Sequence, residues 1–245
     1  MNMMLTRLPD VLMASLAVAM VALLLVGAVL GARRAGCDAS EVQRAASITL
    51  VALSAWLAIA AVLAMSGLLS EWSARPPRWP LLPLTAFAAI VAVIRSAAAQ
   101  RVLSNIPPAW PIGAQTFRIG VELALYALYV AGRAPIQVTF EGRNFDVLVG
   151  LSAPFVAWLV ARRGLGPKSA IAWNAMGLAV LANTVGTVAT STPGPLHVDW
   201  PGPPLTAITS WPIVWLPAFL MPLAVFLHVV SLRQNIGRVR AAGAL

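Results

Sequence analysis

The sequence has one cysteine, Cys37, in 245 residues. No intrachain disulfide can form, and thiolate clusters and cysteine-based zinc sites are excluded. It has one lysine, Lys168, between two apolar runs. None lies in the last apolar run, so a retinal-type Schiff base there is excluded even though seven helices can be read. The two histidines, His197 and His228, are predicted on opposite membrane faces, which argues against bis-histidine haem ligation and a His-rich metal site. HExxH, GxSxG, P-loop and GxGxxG patterns are all missing, so Walker-type ATP use and serine-hydrolase chemistry have no support. No metal and no cofactor is expected.

Charge is scarce as well. Only 10% of residues are charged and 60% are hydrophobic, against about 25% and about 45–50% in a soluble domain. A soluble chain this short could not hide that much apolar surface. The composition points to an integral membrane protein, and the apolar runs are too long and unbroken for barrel strands. The net charge is +9. The basic residues stand singly or in pairs between apolar runs, which fits the positive-inside rule and argues against nucleic acid as a partner.

Seven apolar segments are predicted as helices, near 11–32, 46–69, 81–103, 114–132, 146–162, 168–190 and 207–231. Each approaches the roughly 20 residues that cross about 30 Å of hydrocarbon. The expected fold class is all-α, a polytopic transmembrane bundle of seven helices forming one domain over 1–245. The first segment is too long for a signal-peptide core and reads as a retained helix. Eleven basic residues, from Arg33, Arg34 and Arg44 to Arg233, Arg238 and Arg240, fall on one side, against five on the other. That bias places the N-terminus outside and the C-terminus in the cytoplasm of a bacterial-type inner membrane. The Pro/Gly-rich loop 191–204 suits the outer face.

An internal similarity suggests more. Trp79 to Ala86 reads WPLLPLTA and Trp200 to Ala207 reads WPGPPLTA, matching at six of eight positions. Asp-Val-Leu opens both the first and fifth segments, at Asp10 and Asp146. One reading is a 3+1+3 parallel repeat with the fourth segment as linker, similar in topology to SWEET-type sugar transporters. The other is coincidence, since interfaces favour tryptophan anyway.

Four stretches carry a family resemblance: Gln115-Thr-Phe-Arg118 through Glu122; Thr139 to Asp146 (TFEGRNFD); Trp215 to Phe219 (WLPAF); and His228 to Gln234 (HVVSLRQ). Together they resemble an uncharacterised group of bacterial seven-helix membrane proteins over roughly residues 110–235. The resemblance implies membership and a fold, and no chemistry.

Candidate site residues fall in three places. In the fourth segment Gln115, Arg118 and Glu122 recur at i, i+3 and i+7 and share one helical face. A mid-membrane Glu122 is costly and suggests function, including proton coupling. The alternative is an Arg118–Glu122 pair that only joins helices. At the entry to the fifth segment lie Glu141, Arg143, Asn144 and Asp146. Asp146 reads either as a helix N-cap or as part of an outer carboxylate–guanidinium cluster with His197 and Asp199, in which Arg143 grips an anion and Glu141 acts as acid or base. Trp72, Trp79 and Trp200 read as interface residues or as a stacking platform. His228 reads as an interhelical hydrogen bonder or a proton shuttle. Asn174, Asn183, Thr184 and Thr187 read as ordinary interhelical contacts unless a cavity faces them, and Gly177 with Gly186 as close-packing positions.

Three functions are compatible with these features: a small molecule bound or transported through a polar cavity in the bundle; an enzyme using the outer cluster; or a non-catalytic subunit or assembly factor. The partners implied are the lipid bilayer, a small-molecule ligand, and other membrane proteins or further copies of the chain.

Overall fold

The computed structural model describes residues 3–243, and the elements among them are helical. In order these are α1 (Met3–Arg34), α2 (Ala39–Met65), α3 (Leu81–Arg95), α4 (Ala97–Leu103), α5 (Ala109–Ala114), α6 (Phe117–Val130), α7 (Asp146–Ala161), α8 (Pro167–Ser191) and α9 (Met221–Gly243). α1, α2, α8 and the run Leu216–Ala242 are long and apolar enough to cross a membrane, and the bent pair α3–α4 would make a fifth span. Such helices are compatible with an integral membrane protein.

The fifth and sixth segments match the expected ranges to within a residue. The others shift for identifiable reasons. α2 begins at residue 39 and not near 46, because Asp38 and Glu41 form a capping box: Asp38 Oδ1 accepts from Glu41 N at 2.8 Å and Asp38 N donates to Glu41 Oε2 at 3.0 Å. The third segment is two helices bent by 82°. Ser96 is extended there, and its hydroxyl caps α4. The carbonyl of Ile94, left without a helical donor, accepts from Gln100 Nε2 and Arg233 Nη1, both at 3.0 Å. The fourth segment breaks at Gln115–Thr116, leaving α6 only 14 residues, about 21 Å at 1.5 Å per residue. The seventh segment starts late. Residues 206–209 form a 3-10 turn, Pro212 and Pro217 interrupt the next stretch, and a π-helical turn, Leu216–Leu220, leads into α9. Pro222 has no N–H for the Ala218 carbonyl, and Trp56 Nε1 donates to it instead at 2.8 Å.

α6 is the central helix. Val121, Ala124, Leu125 and Leu128 join Met13, Ala17 and Met20 of α1 and Leu220, Leu223 and Leu227 in one core. α8 packs along α9 and α7, and α1 along α2 and α6. Gly150 permits the α6–α7 approach: a Cβ there would come within 2.9 Å of Ile119 N.

The two WP blocks occupy different local structures. Trp79 stands two residues before α3, whereas residues 200–205 are irregular, a 3-10 turn follows them at 206–209 and the long helical run begins at 216. Asp10 lies inside α1, while Asp146 is the first residue of α7. These landmarks therefore differ in their local structure.

Candidate functional site

Arg118 is 1% exposed, and its guanidinium is held on two sides. Nε donates to Asp146 Oδ2 at 3.0 Å and Nη2 to Asp146 Oδ1, a side-on bidentate pair. Nη1 lies 3.1 Å from His228 Nε2. A guanidinium has no acceptor, so His228 Nε2 must accept. The imidazole proton then sits on Nδ1 and is donated to Asn174 Oδ1 at 2.9 Å. Asn174 Nδ2 donates to Ala170 O at 2.7 Å and to Ser231 Oγ at 2.9 Å. Asn235 Nδ2 bonds to Ser231 O at 2.8 Å. The His228 tautomer and the Asn174 amide orientation are both fixed by the one donor that cannot reverse.

On the other side of Asp146, Asn144 satisfies both ends of its amide. Oδ1 accepts from Asp146 N at 3.1 Å and from Thr184 Oγ1 at 2.6 Å. Nδ2 donates to Val138 O at 3.0 Å and to Glu122 Oε1. From Thr184 to Asn174 along α8, and on from Ser231 to Asn235 along α9, the network extends roughly 20 Å by helical rise. Glu122, Asn144, Asp146, Arg118, His228, Asn174, Ser231 and Asn235 are each no more than 4% exposed.

Two expectations are corrected here. Asp146 does not cap α7. It opens that helix, and the Asn144 side chain bonds its amide instead. Its carboxylate faces inward to Arg118, where the N-terminal end of the helix dipole also favours negative charge. The intrahelical Arg118–Glu122 bridge is replaced by Arg118–Asp146 and Glu122–Asn144. Side chains on a helix lean toward its N-terminus, so an arginine four residues before a glutamate reaches away from it.

Gln115 is fully buried and its Nε2 donates to Ala224 O at 3.0 Å. Gln115 Oε1 and Glu122 Oε2 have no hydrogen-bond partner. Gly177 leaves room for His228, since a Cβ there would come within 2.4 Å of the imidazole Cε1. At Gly186, expected to pack closely, an added Cβ would meet no neighbouring element within 4 Å.

The outer candidates stand apart. Glu141, Arg143, His197 and Asp199 are exposed. His197 Nε2 lies 3.4 Å from Asp199 Oδ1. Arg143 stacks over the Trp200 ring at 5.2 Å, so Trp200 is a platform for this chain's own arginine. The expected outer cluster does not form, because Asp146 is turned into the bundle.

A cavity of about 60 Å³ reaches Arg118, Asp146 and Thr184. Its other walls are apolar, with Trp79, Leu181, Val185, Leu216 and Ala224 among them, and none of the four exposed outer candidates lines it. Among the described residues no three His, Cys, Asp or Glu side chains group closely enough to hold a metal ion.

Ser231 and Asn235 are the members that sequence reasoning missed. The signal was present: Asn174, Gly177, Leu181 and Thr184 on α8, and His228, Ser231 and Asn235 on α9, repeat the i, i+3, i+7 spacing of Gln115, Arg118 and Glu122. The polar triplet at 228, 231 and 235 thus matches the one at 115, 118 and 122, while on the same face of α8 only Asn174 and Thr184 are polar. No protein family matches the chain, and neither a curated protein nor a solved structure does.

Proposed function

We propose that the chain is a multi-pass protein of a bacterial-type inner membrane that binds and transports a small molecule at the cavity reaching Arg118 and Asp146. The observation that carries this reading is the ion pair itself, buried in the bundle and lining a void. Buried pairs are weak stabilisers, and an ionisable group at membrane depth suggests function. The cavity is small beside the ~300–1,000 Å³ of a drug-sized pocket, which favours a small or slender ligand and passage by opening of the bundle. Proton coupling through Glu122 belongs to the same proposal. In this arrangement α6 and α7 complete seven crossings, with the N-terminus outside and the C-terminus inside.

The test is a thermal-stability screen of the protein in lipid nanodiscs against small water-soluble solutes: amino acids, short carboxylates and sugars. A cavity ligand at 100 times its Kd adds about 2.7 kcal/mol of stability. That gain should disappear in Val188→Phe, which fills the cavity wall. A screen in which no stabilising solute loses its effect in Val188→Phe speaks against the reading.

A further inference from the structure

The guanidinium of Arg118 has five N–H donors. Three are spent: Nε and Nη2 on Asp146, and Nη1 on His228. The second hydrogens of Nη1 and Nη2 have no acceptor among the described residues. Trp79, on the cavity wall, likewise donates its indole N–H to no described residue. Both Asp146 oxygens already accept from Arg118, and Thr184 Oγ1 lies 3.0 Å from Oδ1. The two unspent guanidinium hydrogens are the only charged donors in the lining without an acceptor, so a ligand that brings an oxygen acceptor gains the strongest hydrogen bond on offer there.

The charge balance narrows the ligand further. Asp146 already neutralises Arg118, so an anion would add a second negative group to one cation and lose its own hydration. A neutral oxygen acceptor loses far less.

The walls indicate where the ligand comes from. α3 packs on α4, α9 and the π-helical turn, and α8 on α7, α9 and the turn at 136–138. The cavity lies between Trp79, at the start of α3, and Thr184, Val185 and Val188 of α8. Val185 lines it and is still 37% exposed, on the apolar surface of a helix long enough to span. Thr184 stands seven residues before the end of α8, about 10 Å into the helix. An opening beside Val185 would face the depth of the acyl chains in a bilayer that α8 spans.

We propose that the cavity is entered sideways from the bilayer by a neutral lipid-dissolved molecule, an alkyl chain bearing a carbonyl oxygen, and that Arg118 donates to that oxygen. This rests on the small-molecule reading above and names its ligand class.

The experiment is photo-labelling of the protein in nanodiscs with three probes of equal chain length, each with a diazirine in the chain: a methyl ketone, an alkane and a carboxylate. Adducts are mapped by mass spectrometry. The ketone should label Trp79, Val185 and Val188 at least about ten-fold more than the alkane, the preference expected for one hydrogen bond to a charged donor. Val185→Trp, which blocks the rim from an exposed position, should reduce ketone labelling to the alkane level. Equal labelling by ketone and alkane overturns the role of Arg118. Stronger labelling by the carboxylate overturns the neutral ligand. Unchanged labelling in Val185→Trp overturns entry from the side. If no probe labels the cavity while a soluble solute still binds in a Val188-dependent way, this inference fails and the broader reading stands. If neither occurs, both fail.

Discussion

Replacing Gly177 with alanine should destabilise the bundle through a single contact. The new Cβ would fall 2.4 Å from His228 Cε1 and 2.8 Å from Nε2. The ring cannot swing away freely, because Nε2 is held by Arg118 at 3.1 Å and Nδ1 by Asn174 at 2.9 Å. Overpacking a tight interior costs about 1–3 kcal/mol. Displacing the ring adds about 1 kcal/mol for each hydrogen bond lost. Alanine returns up to about 1 kcal/mol over glycine in a helix. The net expectation is a loss of about 1–4 kcal/mol, read from reversible unfolding in mixed micelles. The decisive measurement is the double-mutant cycle with His228→Ala. In that background the Cβ meets no ring, so Gly177→Ala should be neutral or stabilising, with a coupling energy of about 1 kcal/mol or more. An equal loss in both backgrounds would refute the claim that Gly177 is small for the sake of the imidazole.

Four other outcomes are expected from the same contacts. Asp146→Asn leaves Arg118 buried against a neutral amide and should cost about 3–5 kcal/mol, much of it recovered when Arg118→Met is added; unfolding of the two variants checks this. Glu122→Gln keeps an oxygen for Asn144 Nδ2 and should cost less than Glu122→Leu, which leaves that donor only Val138 O; equal losses would show that the Asn144 contact contributes nothing. Asp38 is held below the usual carboxylate range first by the Glu41 backbone N–H and next by the Ser40 hydroxyl. The cap on α2 is therefore intact above that range and lost as pH falls through the depressed value, so the Glu41 amide resonance should titrate with a midpoint below 3.8. A reporter fused to the C-terminus should be active in the cytoplasm, and activity only in the periplasm would reverse the proposed orientation.

Composition and apolar run length carried most of the architecture. Segments five and six were legible because Asp146 and Pro167 mark their starts and apolar residues fill them without interruption. The break at Ser96 was not, since the residues that make it tolerable, Gln100 and Arg233, act through tertiary contact. In the site, the polar stripe of the fourth segment was readable from spacing alone, and so were Arg118 and Glu122 as its costly members. Their partners were not. Asp146 and Asn144 read as an outer cluster because sequence shows which residues adjoin but not which way a helix's first turn faces. His228 was visible as a hydrogen bonder, but its link to Arg118 spans 110 positions and leaves no local trace.

That sequence distance also bears on how the chain is assembled. Arg118 leaves the ribosome 28 residues ahead of Asp146 and 110 ahead of His228. At about 5–20 residues per second, the guanidinium waits roughly 5–20 s for its last partner. A helix as short as α6, carrying an unmatched cation, has little reason to settle in lipid alone. In the seven-crossing arrangement proposed above, its entry is tied to the arrival of α7, and its final seat to α9. α9, made after α6 and α7, is the helix that closes the arginine's last contact, so a chain cut short before α9 would leave the Arg118 guanidinium without His228.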